Sequence, residues 1–191
     1  MCIRDSGSAG RYITFGIRES QDVRPWIELH NREFGPYPVF LGGVSMGATT
    51  VLMAAGTPLP DNVRGILADC GFSSPREILT SVAKHRAHLP AFPILYLANF
   101  WCRLLAGFDW MENSTVQAMA RNRLPVFFAH GQADDFVPWS MTQAAYDAAA
   151  CDKQLLLVPG AGHGRSYLVE RERYLHMLED FLNRNLPASS T

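Results

Sequence analysis

Short apolar runs that end in turn residues constrain the fold of this chain more than any other feature of its sequence. Three such runs are clear, at 38–42, 124–130 and 154–158, and a weaker one follows the same pattern at Val63–Asp69. Continuous apolar runs of this length are typical of strands buried on both faces, which occur in parallel sheets. We therefore expect an α/β protein with a mostly parallel sheet and helices on both of its faces.

Helical patterns lie between the predicted strands. Val23 and Ile27 begin an apolar stripe, and the helix that carries it is expected to begin near Asp22. The reason is Pro25, which a helix tolerates only within its first turn. Small apolar residues at 48–55 predict a second helix, packed closely against the sheet.

Two serines have the pattern of helix N-caps. Ser74 is followed by Pro75 and then, at the third position, by Glu77, which is the pattern of a capping box with proline at the first helical position. Ser114 begins a similar segment. The last helix is predicted over 167–183, where apolar residues recur at helical spacing.

The composition limits both the number of domains and the kinds of partner. The 191 residues fit a single domain, because about 150 residues per domain is usual. Charged residues make up 18% of the chain and the formal net charge is −1, without a run of lysine and arginine. Nucleic-acid binding needs a basic surface, so we expect no nucleic-acid partner.

Cysteine usage and hydropathy indicate the compartment. Cys2, Cys70, Cys102 and Cys151 are widely spaced and form no C-x-x-C pair, which is typical of reduced thiols. No apolar run reaches the roughly 18 residues of a membrane span, and the most apolar stretch, 89–108, is interrupted by prolines and an arginine. We expect a cytoplasmic protein without a membrane partner.

The pentapeptide Gly43-Val44-Ser45-Met46-Gly47 has the pattern G-x-S-x-G and follows a predicted buried strand. In this context the serine lies on a sharp strand-to-helix turn. The flanking glycines leave room for the turn and for close approach of the neighbouring chain. The N–H of Met46 is expected at a helix N-terminus, where it can stabilise an oxyanion. An ordinary strand–helix connection is the alternative interpretation.

A serine hydroxyl acts as a nucleophile only when a base takes its proton and an acid orients that base. His163 lies between glycines after the last predicted strand, and Asp134 follows the strand before it. The order Ser45, Asp134, His163 differs from the orders of the two common serine-protease folds. The alternative acids are Asp69, after an earlier strand, and Asp135, which we expect instead to cap the loop or the following helix.

Cofactor and metal motifs are incomplete in this sequence. The glycines at 160–164 form no dinucleotide fingerprint, because Arg165 stands where a glycine is needed, and no G-x-x-x-x-G-K-[ST] loop occurs. His85 and His88 could face one side of a helix, but a third metal ligand is missing. We expect no cofactor and no metal. The remaining histidines, His130 among them, are interpreted as surface or packing residues.

At these residues the chain resembles the α/β-hydrolase superfamily, and more narrowly the bacterial α/β-hydrolases grouped with serine aminopeptidase-like and prolyl-oligopeptidase-like enzymes. The similar stretches are 10–16, 43–50, 68–75, 130–138 and 158–163. The resemblance implies an α/β-hydrolase domain over 10–191, preceded by a leader, 1–9, that does not match. In the family pattern the acid is followed by two residues and then Val-Pro, which favours Asp134.

The resemblance also implies a difference on the N-terminal side. Complete members of the family have about eight strands, and the segment before Gly10 normally supplies the first of these together with the second oxyanion donor. We therefore expect an N-terminally truncated chain from which the second donor is absent. Loss of one such donor typically costs about 10²–10³ in turnover. An open edge strand is expected near 39–41.

A long apolar insert separates the second and third predicted strands, at about 74–120. The resemblance implies a helical cap. The apolar residues of this cap have two interpretations. The cap as a whole is expected to form a wall of an apolar substrate pocket, whereas most of its individual residues are expected to pack against the sheet and helices. The sequence thus predicts a serine hydrolase that cleaves carboxylic esters or thioesters of small molecules. The alternatives are a peptidase or aminopeptidase-like hydrolase and a non-catalytic binding protein of the same fold. A further alternative is that the chain as given is an inactive fragment of such an enzyme.

Overall fold

Four parallel strands form the sheet that carries the candidate site. A computed structural model describes residues 12–111 and 113–186 of the chain. Within these ranges the strands are β1 (Val39–Val44), β2 (Val63–Asp69), β3 (Val126–Gly131) and β4 (Lys153–Val158). Their order across the sheet is β1-β2-β3-β4, and each neighbouring pair is parallel. The predicted strands are confirmed, as is the place of β1 at an edge of the described sheet.

Helices cover both faces of this sheet. In the described ranges they are α1 (Glu19–Phe34), α2 (Met46–Ala55), α3 (Pro75–His85), α4 (Ala91–Trp101), a π-helix (Cys102–Ala106), α5 (Thr115–Arg121), α6 (Trp139–Ala148), α7 (Ser166–Val169) and α8 (Arg171–Asn185). Helices α2, α5 and α6 pack on one face and α8 packs on the other. The expected α/β class with helices on both faces is therefore confirmed.

Alternate side chains of the central strands enter two separate cores. Ile66 and Phe128 pack with α2, α5 and α6, whereas Phe127 and Ala129 pack against Phe181 of α8. Successive strand residues point to opposite faces, so a strand covered on both sides needs apolar residues at nearly every position. Every residue of β3 is buried, which explains its continuous apolar run.

Helix α1 begins earlier than its sequence indicated. It starts at Glu19 rather than near Asp22, and Pro25 lies inside it. The Glu19 carboxylate accepts hydrogen bonds from the backbone N–H groups of Thr14 and Gly16, at 2.9 and 3.0 Å, and from the Thr14 hydroxyl. This buried anchor stabilises the extra first turn. The predicted start was wrong because the anchor outweighs the one hydrogen bond that proline cannot make.

The two predicted N-caps are confirmed. The hydroxyl oxygen of Ser74 accepts a hydrogen bond from the N–H of Glu77 at 3.1 Å, and that of Ser114 accepts one from the N–H of Val116 at 3.1 Å. Each cap satisfies one of the N–H groups that have no acceptor within their own helix. The N-terminal ends of α3 and α5 are therefore determined by local sequence.

The C-terminal segment forms two helices where one was predicted over 167–183. Helix α7 ends at Val169, Glu170 has non-helical dihedrals (φ −123°, ψ 58°), and α8 begins at Arg171. Helix α7 contacts β3 and β4, whereas α8 contacts β2 and packs Phe181 against Phe127 of β3. The helical dihedrals are interrupted at Glu170 between these two sets of contacts, so the single-helix prediction was wrong.

The apolar insert divides into a packed part and an exposed part. Phe108 and Trp110 are buried, and α5 packs against α2 and α6 as part of the main core. Most other large apolar side chains of the insert are exposed: Leu89, Phe92, Ile94, Tyr96, Leu97, Phe100, Trp101, Leu104 and Leu105. The interpretation of most insert residues as packing is therefore wrong, because α4 packs through one side only. None of the described helices combines the length and the apolar character that crossing a membrane requires.

Candidate active site

Ser45 lies on a strained turn between β1 and α2. Its backbone dihedrals are φ 56° and ψ −119°, a region that residues other than glycine rarely occupy. Its N–H donates to the carbonyl of Asp69 at 2.8 Å, and its carbonyl accepts from the N–H of Thr49 at 3.0 Å. These two hydrogen bonds hold the strained residue, so that its hydroxyl stands at the start of α2.

Only one of the two flanking glycines is required by close packing among the described residues. A Cβ atom at Gly43 would lie 2.2 Å from the carbonyl carbon of Gly47, which no side chain permits. A Cβ atom at Gly47 would have no atom within 4 Å. The expectation of close approach therefore holds for the Cβ position of Gly43, which faces the Gly47 backbone, and fails for the Cβ position of Gly47, which faces open space.

The carboxyl ends of three parallel strands bring the predicted site residues to one edge of the sheet. Ser45 directly follows β1, Asp134 lies in the turn after β3, and His163 lies in the loop after β4. Glycines with positive φ, Gly160 and Gly164, begin and end that loop and let it turn back across the sheet edge. Ligand sites of open parallel sheets occur at this edge.

Two hydrogen bonds connect the three side chains. Nε2 of His163 lies 2.9 Å from the Ser45 hydroxyl oxygen, and Nδ1 of His163 lies 2.7 Å from Oδ2 of Asp134. The other carboxylate oxygen of Asp134, Oδ1, accepts from the N–H groups of Phe136 and Val137, each at 2.9 Å. Asp134 is buried, while His163 is partly exposed. Such an arrangement can take a proton from the hydroxyl and pass it to a leaving group.

The two alternative acids lie elsewhere. The Asp135 carboxylate is 83% exposed and forms an ion pair with Arg86 at 3.1 Å, so it does not cap the loop or α6 as expected. Asp69 is buried, and its Oδ1 accepts a hydrogen bond from the hydroxyl of Ser166 at 3.1 Å. The structure thus places Asp134 against His163, as the sequence favoured.

Comparison with other sequences finds relatives that are longer than this chain. No protein-family model matches it. It is 29% identical over 181 residues to the uncharacterised protein YqkD of Bacillus subtilis, covering 94% of this chain and 59% of that protein. It is 21% identical over 162 residues to the uncharacterised protein YfhR of Escherichia coli O157:H7, with coverages of 82% and 51%. The chain therefore spans little more than half the length of these relatives.

Solved structures share the architecture at low sequence identity. An esterase from Pyrococcus furiosus matches with a TM-score of 0.71 and 18% identity, covering 95% of this chain and 67% of that one. A puromycin-hydrolysing peptidase from Mycobacterium tuberculosis matches with a TM-score of 0.68 and 22% identity, covering 91% and 26%. The chain has the α/β-hydrolase fold. The fold that the resemblance implied is confirmed.

In this α/β-hydrolase fold the acid is held in its charged form. Burial by itself raises the pKa of Asp134, but hydrogen bonds from His130, His163 and the N–H groups of Val137 and Phe136 outweigh burial and hold the pKa at about 2. Each of these donors stabilises the carboxylate over the neutral acid. Asp134 therefore remains negative wherever His163 could act as a base.

Acid is expected to destabilise the fold through Asp134. Its folded-state pKa of about 2 lies below the ordinary 3.8, so the carboxylate stabilises the fold above about pH 4, and this is lost as the pH falls through about 2. The shift corresponds to about 2 kcal/mol. Urea unfolding of wild type and Asp134→Asn should show their stability difference shrinking by about 2 kcal/mol from about pH 5 to about pH 2. A difference that stays constant with pH would contradict the assignment.

The sequence pattern did not connect His130 with Asp134, and His130 was interpreted only as a surface or packing histidine. It is fully buried at the end of β3, and its Nε2 lies 3.1 Å from Oδ2 of Asp134. The available signal was its spacing, because a histidine four residues before an acid at the end of a buried strand faces the same turn. At the end of an exposed strand, the same spacing would not have indicated that the histidine contacts the acid.

Cys70 lies beside Asp134 and His163 but has little reactivity of its own. Burial, with a contribution from the charge of Asp69, raises the pKa of its thiol to about 12. Its sulfur and ligand-type atoms of Asp134 and His163 lie within 4.8 Å of one another. This set is a poor metal site, because a metal needs the thiolate and because Asp134 and His163 already bond to each other.

The pair His85 and His88 does not share a helix face. Helix α3 ends at His85, and His88 lies beyond that end with a φ of 52°. The spacing that would place two histidines on one side of a helix is therefore not realised. The ends of α3 and its following loop exclude the two-histidine metal arrangement considered from sequence.

Proposed function

We propose that the protein is a serine hydrolase that cleaves carboxylic esters or thioesters through an acyl-enzyme at Ser45. One observation carries the proposal: the continuous hydrogen bonding from the Ser45 hydroxyl through His163 to Asp134, at 2.9 and 2.7 Å. The strained backbone of Ser45 at the start of α2 supports it. A non-catalytic relative has no need to hold these three groups in such an order.

The reaction follows from the positions of the protons. The Ser45 oxygen attacks the substrate carbonyl carbon while its proton moves to Nε2 of His163. The bond to the leaving group then breaks, and the leaving oxygen or sulfur takes that proton from Nε2. A water molecule repeats both steps on the acyl-enzyme and releases the acid. Asp134 keeps His163 oriented and stabilises its charged form.

The N–H of Met46 is the oxyanion donor in this mechanism. Met46 is the first residue of α2, and the first N–H groups of a helix have no acceptor within the helix. The partial positive charge at this helix end adds to the effect. The tetrahedral oxygen formed at the substrate carbonyl is thus stabilised as its negative charge develops.

Esters take precedence over peptides because two exposed side chains next to the triad, Val44 and Phe136, are apolar. Val44, directly before Ser45, is 57% exposed, and the Phe136 ring contacts the His163 ring edge-on with centroids 5.2 Å apart. Such neighbours favour an apolar acyl or alcohol group. Peptide cleavage is the second candidate, supported by the likeness to a puromycin-hydrolysing peptidase and to an acylaminoacyl peptidase from Pyrococcus horikoshii.

A fluorophosphonate probe tests the proposal directly. We expect the folded protein to be labelled on Ser45, labelling to disappear in Ser45→Ala, and labelling to persist in the control Ser140→Ala, an exposed serine of α6. Short-chain nitrophenyl esters should be hydrolysed faster than aminoacyl nitroanilides, and the reverse order would favour a peptidase. A folded, full-length version of the protein whose Ser45 stays unlabelled would contradict the proposal.

We also propose that the reaction takes place in the cytoplasm. Cys70, Cys102 and Cys151 are free thiols in the described part of the chain. Free, scattered thiols are typical of proteins kept in a reducing compartment. The substrate on this proposal is a small apolar ester or acyl thioester.

A further inference from the structure

A second histidine bonds to the same acid as His163. His130 is fully buried, and its Nε2 lies 3.1 Å from Oδ2 of Asp134 and 3.0 Å from the carbonyl oxygen of Val137. Its Nδ1 lies 2.7 Å from the hydroxyl oxygen of Thr142 on α6. Every polar atom of this ring therefore has a partner, and the ring is fixed between β3 and α6.

The partners of His130 determine where its hydrogen lies. A carboxylate oxygen and a carbonyl oxygen only accept hydrogen bonds, so Nε2 must carry a hydrogen and donate it. The Thr142 hydroxyl lies 2.7 Å from Nδ1 and 2.9 Å from the carbonyl oxygen of Gly71, and its single hydrogen can serve only one of these two acceptors. In either case Nε2 faces Asp134 with a donor, because both of its own partners only accept.

Oδ2 of Asp134 is consequently shared between two imidazoles. It accepts from Nδ1 of His163 at 2.7 Å and from Nε2 of His130 at 3.1 Å. A donor on a carboxylate oxygen withdraws part of the negative charge that the oxygen offers to other donors. His130 therefore competes with His163 for the charge of the acid.

We propose that His130 is a positioning residue that sets how strongly Asp134 supports the protonated form of His163. This inference rests on the proposed hydrolase mechanism and assigns to it a residue beyond the triad. His130 does not touch the substrate. It acts through Asp134, by holding Oδ2 in place and by sharing its charge.

The other charged and titratable groups near His130 do not account for the role proposed for its contact with Asp134. Asp69, at the end of β2, interacts electrostatically with His130 and His163, and the burial of its carboxyl raises its pKa. Cys70 on the same strand end stays a neutral thiol, since its pKa is raised to about 12. Neither of them bonds directly to the His130 ring among the described residues.

The test compares His130→Leu with wild type across pH. Without the N–H of His130, the full charge of Oδ2 faces His163, and the protonated form of His163 is held more strongly. We expect the acid limb of kcat/KM for a nitrophenyl ester to move to higher pH by about one unit. On the acid side of that limb the rate falls about tenfold, while the plateau at higher pH changes less.

Two other variants provide the rescue and the control. His130→Gln keeps an N–H near the position of Nε2 and should return the acid limb toward its wild-type position. His176→Leu removes an exposed histidine of α8 and should leave the limb unchanged. If His130→Leu does not fold, Thr142→Val serves instead, because it releases the Nδ1 side of the ring without touching Asp134, and a smaller shift in the same direction is expected.

A direct titration separates this inference from the proposed function. The midpoint of His163 can be followed by NMR of its ring proton in wild type and in His130→Leu, whether or not the protein hydrolyses esters. An upward shift of about one pH unit supports the role of His130 even in an inactive chain. An unmoved or lowered midpoint in a folded variant overturns it. Failure of Ser45 labelling bears on the proposed function alone.

Discussion

Replacing Asp134 with Asn is expected to lower kcat for ester hydrolysis by about 10⁴-fold. The amide keeps the size of the side chain but loses the charge that holds His163 in the tautomer with its proton on Nδ1. Oδ2 of Asp134 accepts from His163 at 2.7 Å and from His130 at 3.1 Å, and Oδ1 accepts from two backbone N–H groups. Asparagine has only one accepting oxygen, so its NH2 group would face hydrogen-bond donors on one side or the other. The measurement is kcat at the plateau of the pH profile.

The neighbouring residue provides a matched control for this substitution. Asp135→Asn makes the same chemical change one residue away, on a side chain that is 83% exposed and paired with Arg86. We expect kcat within about twofold of wild type, because an exposed ion pair contributes little. Equal losses in the two variants would show that the acid has been assigned to the wrong residue.

Replacing Gly43 with Ala is expected to disrupt the fold around the nucleophile. The new Cβ atom would lie 2.2 Å from the carbonyl carbon and 2.3 Å from the carbonyl oxygen of Gly47, and backbone cannot move aside as a side chain can. Overpacking of this kind costs about 3 kcal/mol or more. For a chain of this size that corresponds to a fall in Tm of roughly 10 °C.

The second glycine of the motif is the control. Gly47→Ala adds the same methyl group where no described atom lies within 4 Å, in the first turn of α2. Alanine is the better helix former, so we expect Tm to remain unchanged or to rise slightly. Thermal unfolding followed by circular dichroism measures both variants. A similar fall in Tm for Gly47→Ala would mean that the difference in space at the two glycines does not matter.

Local sequence was sufficient where one segment carries the whole signal. The strands were predictable because burial on both faces requires apolar residues in succession, as in β3. The caps at Ser74 and Ser114 were predictable because their hydrogen bonds join residues that lie within three positions of each other. The turn at Ser45 was predictable for the same reason, since Gly43 is needed by residues only a few positions away.

Contacts outside the predicted segments explain the errors. The start of α1 depends on hydrogen bonds between the Glu19 carboxylate and the residues just before the helix. The break at Glu170 separates α7, which contacts β3 and β4, from α8, which packs across β2 and β3. The apolar side chains of α4, such as Phe100, read as packing residues because sequence shows their hydrophobicity and not which side of the helix finds a neighbour.

The sequence alone determined that this chain forms a parallel α/β sheet with a serine on the turn after its first described strand. These features follow from periodicity and sterics over a few residues. Only the tertiary structure decided that Asp134, rather than Asp135 or Asp69, faces His163, and that His130 shares its oxygen. Two adjacent carboxylates have the same chemistry. Their roles differ because the turn after β3 buries one at the sheet edge and leaves the other in solvent.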